Sequence, residues 1–499
     1  MVLAFKVDFF YLNLGGIKMA KKEGFVKQIT SRDVDFAKWY TDVCLKAELC
    51  DYSSVKGCMV VRPLGTALWE GIQHIVDTHL KATGHQNVLM PMLIPEHLLL
   101  KEAEHVEGFA PEVAWVTAGG DSPLQERLAV RPTSEVMFCE HFKKIIHSHR
   151  DLPVLYNQWV SVMRWEKTTR PFLRTTEFFW HEGHTCHADY EDADKEALMI
   201  LDMYVDVCEN VLAIPVVSGV KSESEKFAGA DKTYTNETLM YDGKALQITT
   251  SHHLGDNFGK AFEITYADKN GQEQFVNTTS WAITTRAIGG LIMVHSDDRG
   301  LVLPPRIAPT QVAIIPIAQH KEGVLDKAYD LRDQLKEKVT VMVDATDKQP
   351  GWKFSEAEMK GYPVRIEIGP KDIEAGEVVV VRRDTLEKIT MALDENLTDN
   401  IDNLLNQIHD DMLNKARERQ SAKTRVAHSK EEFAELVKDG GFVIAPWSGD
   451  TEVEDQIKEE TGASSRCLSF EYIDADLTGV KDLWNGKDAK YMMHWARAY

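Results

Sequence analysis

The chain has 499 residues and a formal net charge of −21 at pH 7, and 43% of its residues are hydrophobic and 27% charged. A length of this size favours about two to four domains over a single core. The acidic balance excludes a generic polyanion binder, because repulsion opposes a phosphate backbone unless basic residues are gathered locally. We therefore expect no DNA partner, and no apolar run approaches the ~18 residues of a membrane span.

The N-terminus and the cysteines bear on the compartment. Residues 1–18 make a poor signal peptide because Lys6 and Asp8 stand among their apolar residues. Met19 is the expected start, which makes 1–18 a doubtful leader. The cysteines fall at irregular spacings without a CxxC pair, which favours a reducing, cytoplasmic compartment. They are Cys44, Cys50, Cys58, Cys139, Cys186, Cys208 and Cys467.

Two helices and a strand are predicted next along the chain. A capped amphipathic helix is expected over 31–49, starting at Ser31, and a second over 64–81 that stops at Gly84. The strand NVLMPML follows and contains Pro91. Because proline cannot donate to a strand ladder, this strand is expected at a sheet edge or an interface.

The rhythm of predicted elements changes twice after this point. Strands separated by turns, with one helix at about 191–212, fill the interval 159–280, which is an α+β pattern. From Gln311 strands and helices alternate, which predicts a separate α/β domain. A long polar helix over about 395–420 then leads into a final segment of roughly 80 residues.

The segment WVSVMRWEKTTRPFLRTTEFFWHEGHT is predicted to form two strands joined by a loop at 167–171. Period-two alternation places Arg164 and Glu166 on one face of the first strand. On the second strand it groups Arg174, Phe178, Trp180, Glu182 and His184. A core face would not hold arginine and glutamate, and a solvated face has little use for phenylalanine and tryptophan. The mixture indicates the wall of a ligand cleft, and an exposed salt-bridged hairpin is the alternative.

A metal site is the second alternative for this segment, because HEGHTCHAD contains three histidines and a cysteine. Zincin histidines lie four apart on a helix, whereas His181 and His184 are three apart in a predicted strand. Alternation also directs His181 and His187 away from His184 and Cys186. We therefore predict no protein metal site here.

The order of these motifs resembles class II aminoacyl-tRNA synthetases. RPTSE at 131–135, LQITTSHHLGDNFGKAF at 246–262 and SWAITTR at 280–286 are similar to prolyl-tRNA synthetases of the archaeal and eukaryotic type. The resemblance implies an α+β catalytic core with an antiparallel sheet, an α/β anticodon-binding domain and a small α+β C-terminal domain. The implied boundaries are 19–306, 307–400 and 401–499.

The resemblance also implies an activity. ATP and L-proline would form prolyl-adenylate with release of pyrophosphate, and the prolyl group would pass to the 3′ end of tRNA(Pro). ATP and Mg²⁺ are the implied cofactors, and a homodimer through residues 64–91 is implied. Another class II specificity and a non-catalytic synthetase-like tRNA-binding protein are the alternatives.

Site residues follow from the family motifs. Arg164 and Arg286 are implied to be catalytic, since fixed guanidinium groups can clamp phosphate oxygens with little reorganisation. The implied proline site comprises Thr133, Glu135, Arg164, Phe178, Trp180, Glu182, His184 and His252. The implied ATP site comprises Arg164, Glu166, Arg174, Thr175, Gln247, Thr250, Thr284 and Arg286, with Mg²⁺ entering with ATP near Gln247.

Candidate tRNA contacts lie outside the core. The string GWKFSEAEMKGYPVRIEIGPKD resembles the anticodon-binding domain and supplies Lys353, Lys360 and Arg365, although ordinary surface charges would produce the same pattern. The clearest basic cluster lies at the end of the long polar helix and in the residues after it. It comprises Lys415, Arg417, Arg419, Lys423 and Arg425.

The chain also departs from relatives of this type. The interval from Gly183 to Thr279 is too short for the editing insertion of many bacterial prolyl enzymes, so no editing in cis is expected. Ser448 and Val453 stand where relatives often carry zinc-binding cysteines, so no zinc is expected. The chain ends on Tyr499, and in relatives the terminal tyrosine extends toward the active site.

Overall fold

The computed structural model describes residues 29–103 and 113–499, so the predicted leader and the start at Met19 lie outside the described residues. Over the described residues, the first part of the fold carries seven helices. They are α1 (Phe36–Lys46), α2 (Pro63–Ala82), α3 (Glu96–Ala103), α4 (Glu135–Ile145), α5 (Tyr190–Asp206), α6 (Asn257–Phe262) and α7 (Arg286–His295). Short helical turns lie at His149–Asp151 and Val207–Val211.

The same part carries strands that form one large sheet and three small ones. The strands are β1 (Cys50–Tyr52), β2 (Met59–Val61), β3 (Gln86–Asn87), β4 (Leu93–Pro95), β5 (Trp115–Gly119), β6 (Ser122–Val130), β7 (Val154–Met163), β8 (Glu177–His187), β9 (Val217–Val220), β10 (Lys232–Leu239), β11 (Ala245–Gly255), β12 (Thr265–Ala267), β13 (Glu273–Phe275) and β14 (Asn277–Thr284).

The central sheet runs β9-β10-β11-β14-β8-β7 with antiparallel neighbours, and β3 is added parallel to β7 at its edge. This confirms the expected α+β core. Alternation along β14 places Ile283 in the core and Ser280, Ala282 and Thr284 on a cavity wall. Helix α5 covers the core face, where the Ser251 hydroxyl donates to the Ala197 carbonyl at 2.7 Å.

Two predicted elements near the N-terminus have different bounds. The first helix begins at Phe36 and is capped by Asp35, whose carboxylate accepts from the Lys38 amide. Ser31 instead donates its hydroxyl to Asp298 at 2.7 Å, so it ties the chain to another segment rather than starting the helix. The predicted strand around Pro91 is reduced to β3 and β4, because proline interrupts the ladder between them; β3 does lie at a sheet edge.

The predicted hairpin loop is longer than 167–171. Strand β7 ends at Met163 and β8 begins at Glu177, so Arg164, Glu166 and Arg174 lie in the connection and not on the strands. The predicted strand positions of these three residues were therefore wrong. Backbone bonds between Arg170 and Arg174 fold the connection back on itself.

The next part is the predicted α/β unit. Its helices are α8 (Val324–Leu335), α9 (Pro350–Lys360) and α10 (Pro370–Ala375), and its strands are β15 (Val312–Pro316), β16 (Val341–Val343), β17 (Val364–Ile368), β18 (Glu377–Arg382) and β19 (Lys388–Ala392). The sheet order is β16-β15-β17-β18-β19. The first three strands are parallel and the last two antiparallel, so the alternating pattern is confirmed.

The last part begins with a long helix and ends in a sheet that joins the central one. Its elements are α11 (Leu397–Ala422), α12 (Lys430–Asp439), α13 (Thr451–Thr461), β20 (Thr424–Val426), β21 (Phe442–Trp447), β22 (Ser464–Ser469) and β23 (Tyr491–Ala496), with a turn of helix at Phe470–Tyr472. Strand β22 pairs with β9, which makes one sheet of 11 strands. Among the described helices, none has the length and apolarity that a bilayer crossing requires.

Candidate active site

A cavity of about 380 Å³ opens on the face of the central sheet opposite α5. Every residue that the sequence assigned to proline or ATP lines it, together with ten further residues. The assigned residues are Thr133, Glu135, Arg164, Glu166, Arg174, Thr175, Phe178, Trp180, Glu182, His184, Gln247, Thr250, His252, Thr284 and Arg286. The structure thus brings together residues that are up to 153 positions apart, from Thr133 to Arg286.

One end of the cavity is built around the buried carboxylate of Glu182. It accepts from the Gln158 amide at 2.6 Å, from the Ser134 backbone at 3.0 Å and from His184 at 3.2 Å. Burial alone would raise the pKa of Glu182, but the hydrogen bonds from His184, Ser134 and Gln158 hold it below its usual value. This carboxylate is therefore ionised at neutral pH.

Two more oxygen-bearing side chains join Glu182. Thr133 donates to Glu135 and lies 3.3 Å from a Glu182 oxygen. Ligand atoms of Glu135, Glu182 and His184 lie within 4.8 Å of one another. Closely spaced carboxylates in a buried position favour a compact cation. A substrate ammonium with two N–H groups satisfies that requirement.

Aromatic rings enclose the same end. The Arg164 guanidinium lies 5.4 Å from the ring centres of both Phe178 and Trp180. His184 stacks on Phe138 with ring centres 4.2 Å apart. Burial and the neighbouring His184 lower the pKa of His252 to about 3, so its imidazole is neutral. The walls are thus apolar and the floor is charged, which suits a small apolar ring carrying a cationic nitrogen.

The other end of the cavity collects arginines. Burial lowers the pKa of Arg286, and the nearby Arg164 and Arg174 lower it further, while Glu166 and Glu237 oppose the shift. The Arg286 Nε donates to the Leu173 carbonyl at 3.2 Å, which fixes the guanidinium at the start of α7. Three guanidinium groups near one another form a site for anions.

Three further assigned residues, Glu166, Thr175 and Thr284, hold this end together. Glu166 pairs with Arg174 at 3.9 Å. The Thr175 hydroxyl donates to the Glu177 carbonyl at 2.6 Å, and the Thr284 hydroxyl accepts from the Arg286 amide at 3.0 Å. Thr175 therefore fixes the backbone just before β8 begins, and Thr284 fixes it where β14 ends.

The histidines of HEGHTCHAD separate as alternation predicts. His181 bonds Asn157 at 2.7 Å and Tyr204 at 2.8 Å on the core side of β8. His187 bonds Asp192 at 2.7 Å. His184 alone of these three histidines lines the cavity, so the sequence cluster is not a cluster in space.

Comparison with known proteins agrees with this geometry. Residues 115–295 match the model of the tRNA synthetase class II core domain (G, H, P, S and T), 311–399 match the anticodon binding domain, and 430–499 match the prolyl-tRNA synthetase C-terminal domain. The chain is 60% identical to a proline–tRNA ligase of Clostridium novyi over 96% of its length and 100% of that protein. The chain belongs to the prolyl-tRNA synthetase family.

Two further relatives extend the comparison. Proline–tRNA ligases of Clostridium botulinum and Ruminiclostridium cellulolyticum are 59% and 60% identical, and each match covers 96% of this chain and all of the relative. The similarity thus includes every part of the prolyl-tRNA synthetase architecture described above.

Several cavity residues were missed by sequence reasoning. They are Phe172, Leu173, Glu225, Phe227, Thr233, Ile248, Thr249, Ser280, Trp281 and Ala282. Some of these lie next to an assigned residue within the same motif and could have been included. Glu225 and Phe227 carried no such signal, because they lie in a connection after β9 that no quoted motif covers.

The predicted tRNA contacts of the anticodon-binding domain are turned inward. Lys353 is 1% exposed and donates to the Gln319 side chain at 2.9 Å and the Asp344 carbonyl at 2.7 Å. Arg365 is 7% exposed and bonds Glu367 at 2.9 Å. The prediction that Lys353 and Arg365 contact RNA directly is therefore corrected. Their donors are engaged inside the domain, so these two residues have a role in the fold.

The other candidate tRNA contacts, Lys360 and the basic residues of α11, include both engaged and exposed side chains. Lys360 is half-buried between Glu356 at 3.3 Å and Glu48 at 3.4 Å. Arg419 points inward and donates to the Val294 carbonyl at 2.9 Å. Lys415 and Arg417 are exposed, and Arg417 pairs with Glu209 at 2.7 Å. Of the six candidates from Lys353 to Arg419, all of them described residues, only Lys415 and Arg417 are exposed.

The chain terminus lies beside the arginine end of the cavity. The Arg170 guanidinium is 5.2 Å from the centre of the Tyr499 ring, and the Tyr499 amide donates to the Ala245 carbonyl at 3.1 Å. Burial raises the pKa of the Tyr499 hydroxyl, and Arg170, Arg174 and Arg286 oppose that shift. The approach of the terminal tyrosine that the resemblance implied is present in this chain.

Proposed function

We propose that this chain joins L-proline to tRNA(Pro) in two steps, formation of prolyl-adenylate from ATP and transfer of the prolyl group to the tRNA, and that the cavity described above is where proline is activated. One observation carries the assignment of the cavity. A pocket for a small cation, built on Glu182, Thr133 and Glu135, shares a single space with three converging arginines. Amino-acid activation requires that combination, because a carboxylate must approach the α-phosphate of ATP.

The two arginines nearest the reaction have distinct roles in the proposal. Arg164 lies beside Phe178 and Trp180, so it joins the proline end to the nucleotide end and bridges the carboxylate and the α-phosphate. Arg286, with Arg174, holds the outer phosphates. Such fixed charges stabilise the phosphoryl oxygens as negative charge develops on them. Mg²⁺ would arrive with ATP, and the side-chain oxygens of Gln247 and Thr250 suit it in chemical type.

Proline is selected by its secondary amine in this proposal. Its nitrogen, when ionised, carries two N–H donors, and Thr133 and Glu135 supply oxygens for both. The buried carboxylate of Glu182 neutralises the positive charge of this nitrogen. Phe178, Trp180 and His184 enclose the pyrrolidine ring, with His252 at the rim. Larger side chains are excluded sterically, whereas a methylene is worth only about 1–3 kcal/mol against smaller ones.

The rest of the proposal concerns partners. The apolar face of α2 packs in the core through residues such as Leu68 and Ile72, so the helix itself offers little to a partner. Beyond it Leu89 is 77% exposed and Met92 53% exposed. We therefore place the homodimer interface at the C-terminal end of residues 64–91 and just after it. Lys415 and Arg417 are the proposed tRNA contacts.

The compartment and the metal content complete the proposal. All of the cysteines are unpaired, which supports a reducing, cytoplasmic location. Val453 is buried in the C-terminal core and Ser448 accepts from Asn485 at 3.1 Å. Neither side chain can supply a thiolate. We therefore expect metal analysis of the purified chain to find less than stoichiometric zinc.

ATP–pyrophosphate exchange with each of the twenty amino acids tests the activity. Exchange stimulated by proline, with weak stimulation by alanine and cysteine, is the expected result. Stimulation by a different amino acid would favour another class II specificity. Absence of exchange with any amino acid, combined with tRNA binding, would favour the non-catalytic alternative. Deacylation of alanyl-tRNA(Pro) should not be accelerated, because the interval between β8 and β14 is occupied by elements of the catalytic part.

A further inference from the structure

The connection between β9 and β10 brings two residues to the cavity. Glu225 and Phe227 both line it, and the Phe227 ring lies 4.7 Å from the His252 ring at an angle of 32°. The Phe227 amide donates to the Thr233 hydroxyl at 2.9 Å, which ties this end of the connection to β10. The position of the Phe227 wall therefore depends on how the connection is held.

The start of the connection is held from the C-terminal part of the chain. Glu454 on α13 is 5% exposed, and one of its carboxylate oxygens accepts from the Ser222 hydroxyl at 2.7 Å. Ser465 on β22 donates to the same oxygen, and Ser224 donates to the other. A buried carboxylate with several hydroxyl donors makes strong hydrogen bonds, because the surroundings provide little solvent to compete.

Ser222 links Glu454 to the cavity residues Glu225 and Phe227 through the backbone. The amides of Glu225 and Lys226 donate to the Ser222 carbonyl at 3.2 and 2.9 Å, so Ser222 begins a turn that sets the direction of the next residues. Lys458, one helical turn after Glu454, lies 4.0 Å from Glu225. The segment from Ser222 to Phe227 is thus fixed at both ends. Glu454 on α13 holds Ser222, and Thr233 on β10 holds Phe227.

The junction around this segment is rigid for separate reasons. Glu237 on β10 is fully buried and pairs with Lys221 at 2.7 Å and Arg466 at 2.7 Å. A Cβ atom on Gly219 would lie 2.2 Å from the Leu468 carbonyl oxygen, so β9 and β22 approach as closely as glycine permits. These contacts hold β22 against β9 and β10, and Val453 and Ile457 pack α13 into the C-terminal core, without any contribution from Glu454. The effect of Glu454 can therefore be measured separately.

We infer that Glu454 is a positioning residue of the proline site, acting through Ser222 and Ser224 to hold Glu225 and Phe227 against the cavity. The C-terminal domain thereby sets the affinity for proline without contacting it. This inference rests on the proposed function, because it assigns the wall at His252 to amino-acid binding. Glu454 touches no assigned ATP residue, so nucleotide affinity should be independent of it.

The test compares E454Q with D455N in the full chain. Glutamine keeps the size of Glu454 but its amide nitrogen cannot accept a hydroxyl hydrogen, whereas Asp455 is the exposed neighbour on the same helix. E454Q should raise the KM for proline in pyrophosphate exchange by about fivefold or more, with the KM for ATP within about twofold. D455N should match the parent chain.

Further variants separate positioning from stability. S222A should also raise the KM for proline, because it removes the Ser222–Glu454 hydrogen bond. The double variant E454Q/S222A should be no worse than the poorer single variant, since both single variants disrupt that bond. Deuterium exchange of residues 221–231 should increase in E454Q and not in D455N. A role in stability alone would lower the active fraction, and hence kcat, at unchanged KM.

The outcomes are distinguishable. An unchanged KM for proline in E454Q, with exchange in the parent chain, overturns this inference and leaves the proposed function intact. A parallel rise in the KM for ATP also overturns it, because the disturbance would then reach the whole cavity. Absence of proline-dependent exchange in the parent chain overturns both.

Discussion

Arg164 and Arg286 in the catalytic cavity, and Lys353 and Arg365 in the anticodon-binding domain, are all withdrawn from solvent to a large degree, yet their surroundings differ. Arg365 is matched by Glu358 and Glu367 at 3.1 and 2.9 Å. Within the described ranges, neither Arg164 nor Arg286 forms an ion pair with a carboxylate at 4.0 Å or less. At the arginine end of the cavity, the guanidinium groups of Arg164, Arg174 and Arg286 stand against one paired carboxylate, that of Glu166. Positive charge is therefore in excess at that end, whereas Arg365 is paired within its own domain.

This difference separates two roles that a positively charged motif residue can have, one in packing and one in ligand binding. A buried cation that its own fold neutralises contributes to packing, and removing it leaves polar partners unsatisfied. A cation that the fold leaves uncompensated favours an anionic ligand. Both kinds look alike in the sequence. Single and paired substitutions of these residues distinguish the two kinds of cation.

Arg286→Ala should reduce proline-dependent exchange by roughly 10²–10³ in kcat, the cost of removing a preorganised donor to a developing negative charge. Arg286→Lys should recover little of this, because an ammonium cannot reproduce the planar fork. Arg150→Ala, at an exposed arginine, is the matched control. Activity of Arg286→Ala within a few-fold of the parent would show that this guanidinium is compensated like Arg365.

Glu182→Gln should raise the KM for proline by about 10-fold to 100-fold, because a hydrogen bond to a charged group is worth about 1.5–3 kcal/mol. The KM for ATP should change much less, since the hydrogen-bond partners of Glu182, such as Gln158 and His184, are not among the residues assigned to ATP. Glu191→Gln, at an exposed position, controls for the change in net charge. Equal effects on both KM values would contradict the division of the cavity into two ends.

Lys353→Met should lower the free energy of unfolding by about 1–3 kcal/mol, because the Gln319 side chain and the Asp344 carbonyl lose a buried donor. Aminoacylation at saturating ATP and proline should keep its KM for tRNA within about twofold. Lys371→Met in the exposed start of α10 should leave stability unchanged. A large rise in the KM for tRNA without loss of stability would return Lys353 to the RNA interface.

Lys415→Ala with Arg417→Ala should weaken tRNA binding several-fold and reduce the salt dependence of log K by about one for each phosphate that is no longer neutralised. Pyrophosphate exchange should be unaffected, because α11 does not line the cavity. Lys438→Ala, at an exposed lysine of α12, is the control. An unchanged salt dependence would mean that these cations do not contact phosphates.

Local pattern in the sequence predicted much of the fold. Period-two alternation on β8 grouped Phe178, Trp180, Glu182 and His184, and they do share one cavity wall. The same rule separated His181 and His187 from His184. Helix α2 was also predicted within a few residues of its observed bounds, and the alternation of strands and helices after Gln311 was predicted as well. These features depend on periodicity and on proline and glycine, which act over one or two turns of chain.

Motif order predicted the membership of the cavity, but not the positions of its charged residues along the backbone. Arg164, Glu166 and Arg174 were placed on strands and lie in a connection. A loop can direct side chains to the same place as a strand, and alternation cannot distinguish the two cases. The resemblance therefore located these residues better than the secondary-structure rule did.

Tertiary structure alone decided which cations are available and how the C-terminal domain is attached. Lys353 and Arg365 have partners such as Gln319 and Glu358 that only folding brings near. The pairing of β22 with β9 joins residues about 250 positions apart, as Leu468 and Val220 show. Sequence determined the local elements and the chemistry available, because those depend on near neighbours. Folding determined which cations are neutralised by nearby partners and which strands join the C-terminal domain to the catalytic sheet. Both depend on distance in space, because Coulomb energy and strand pairing do.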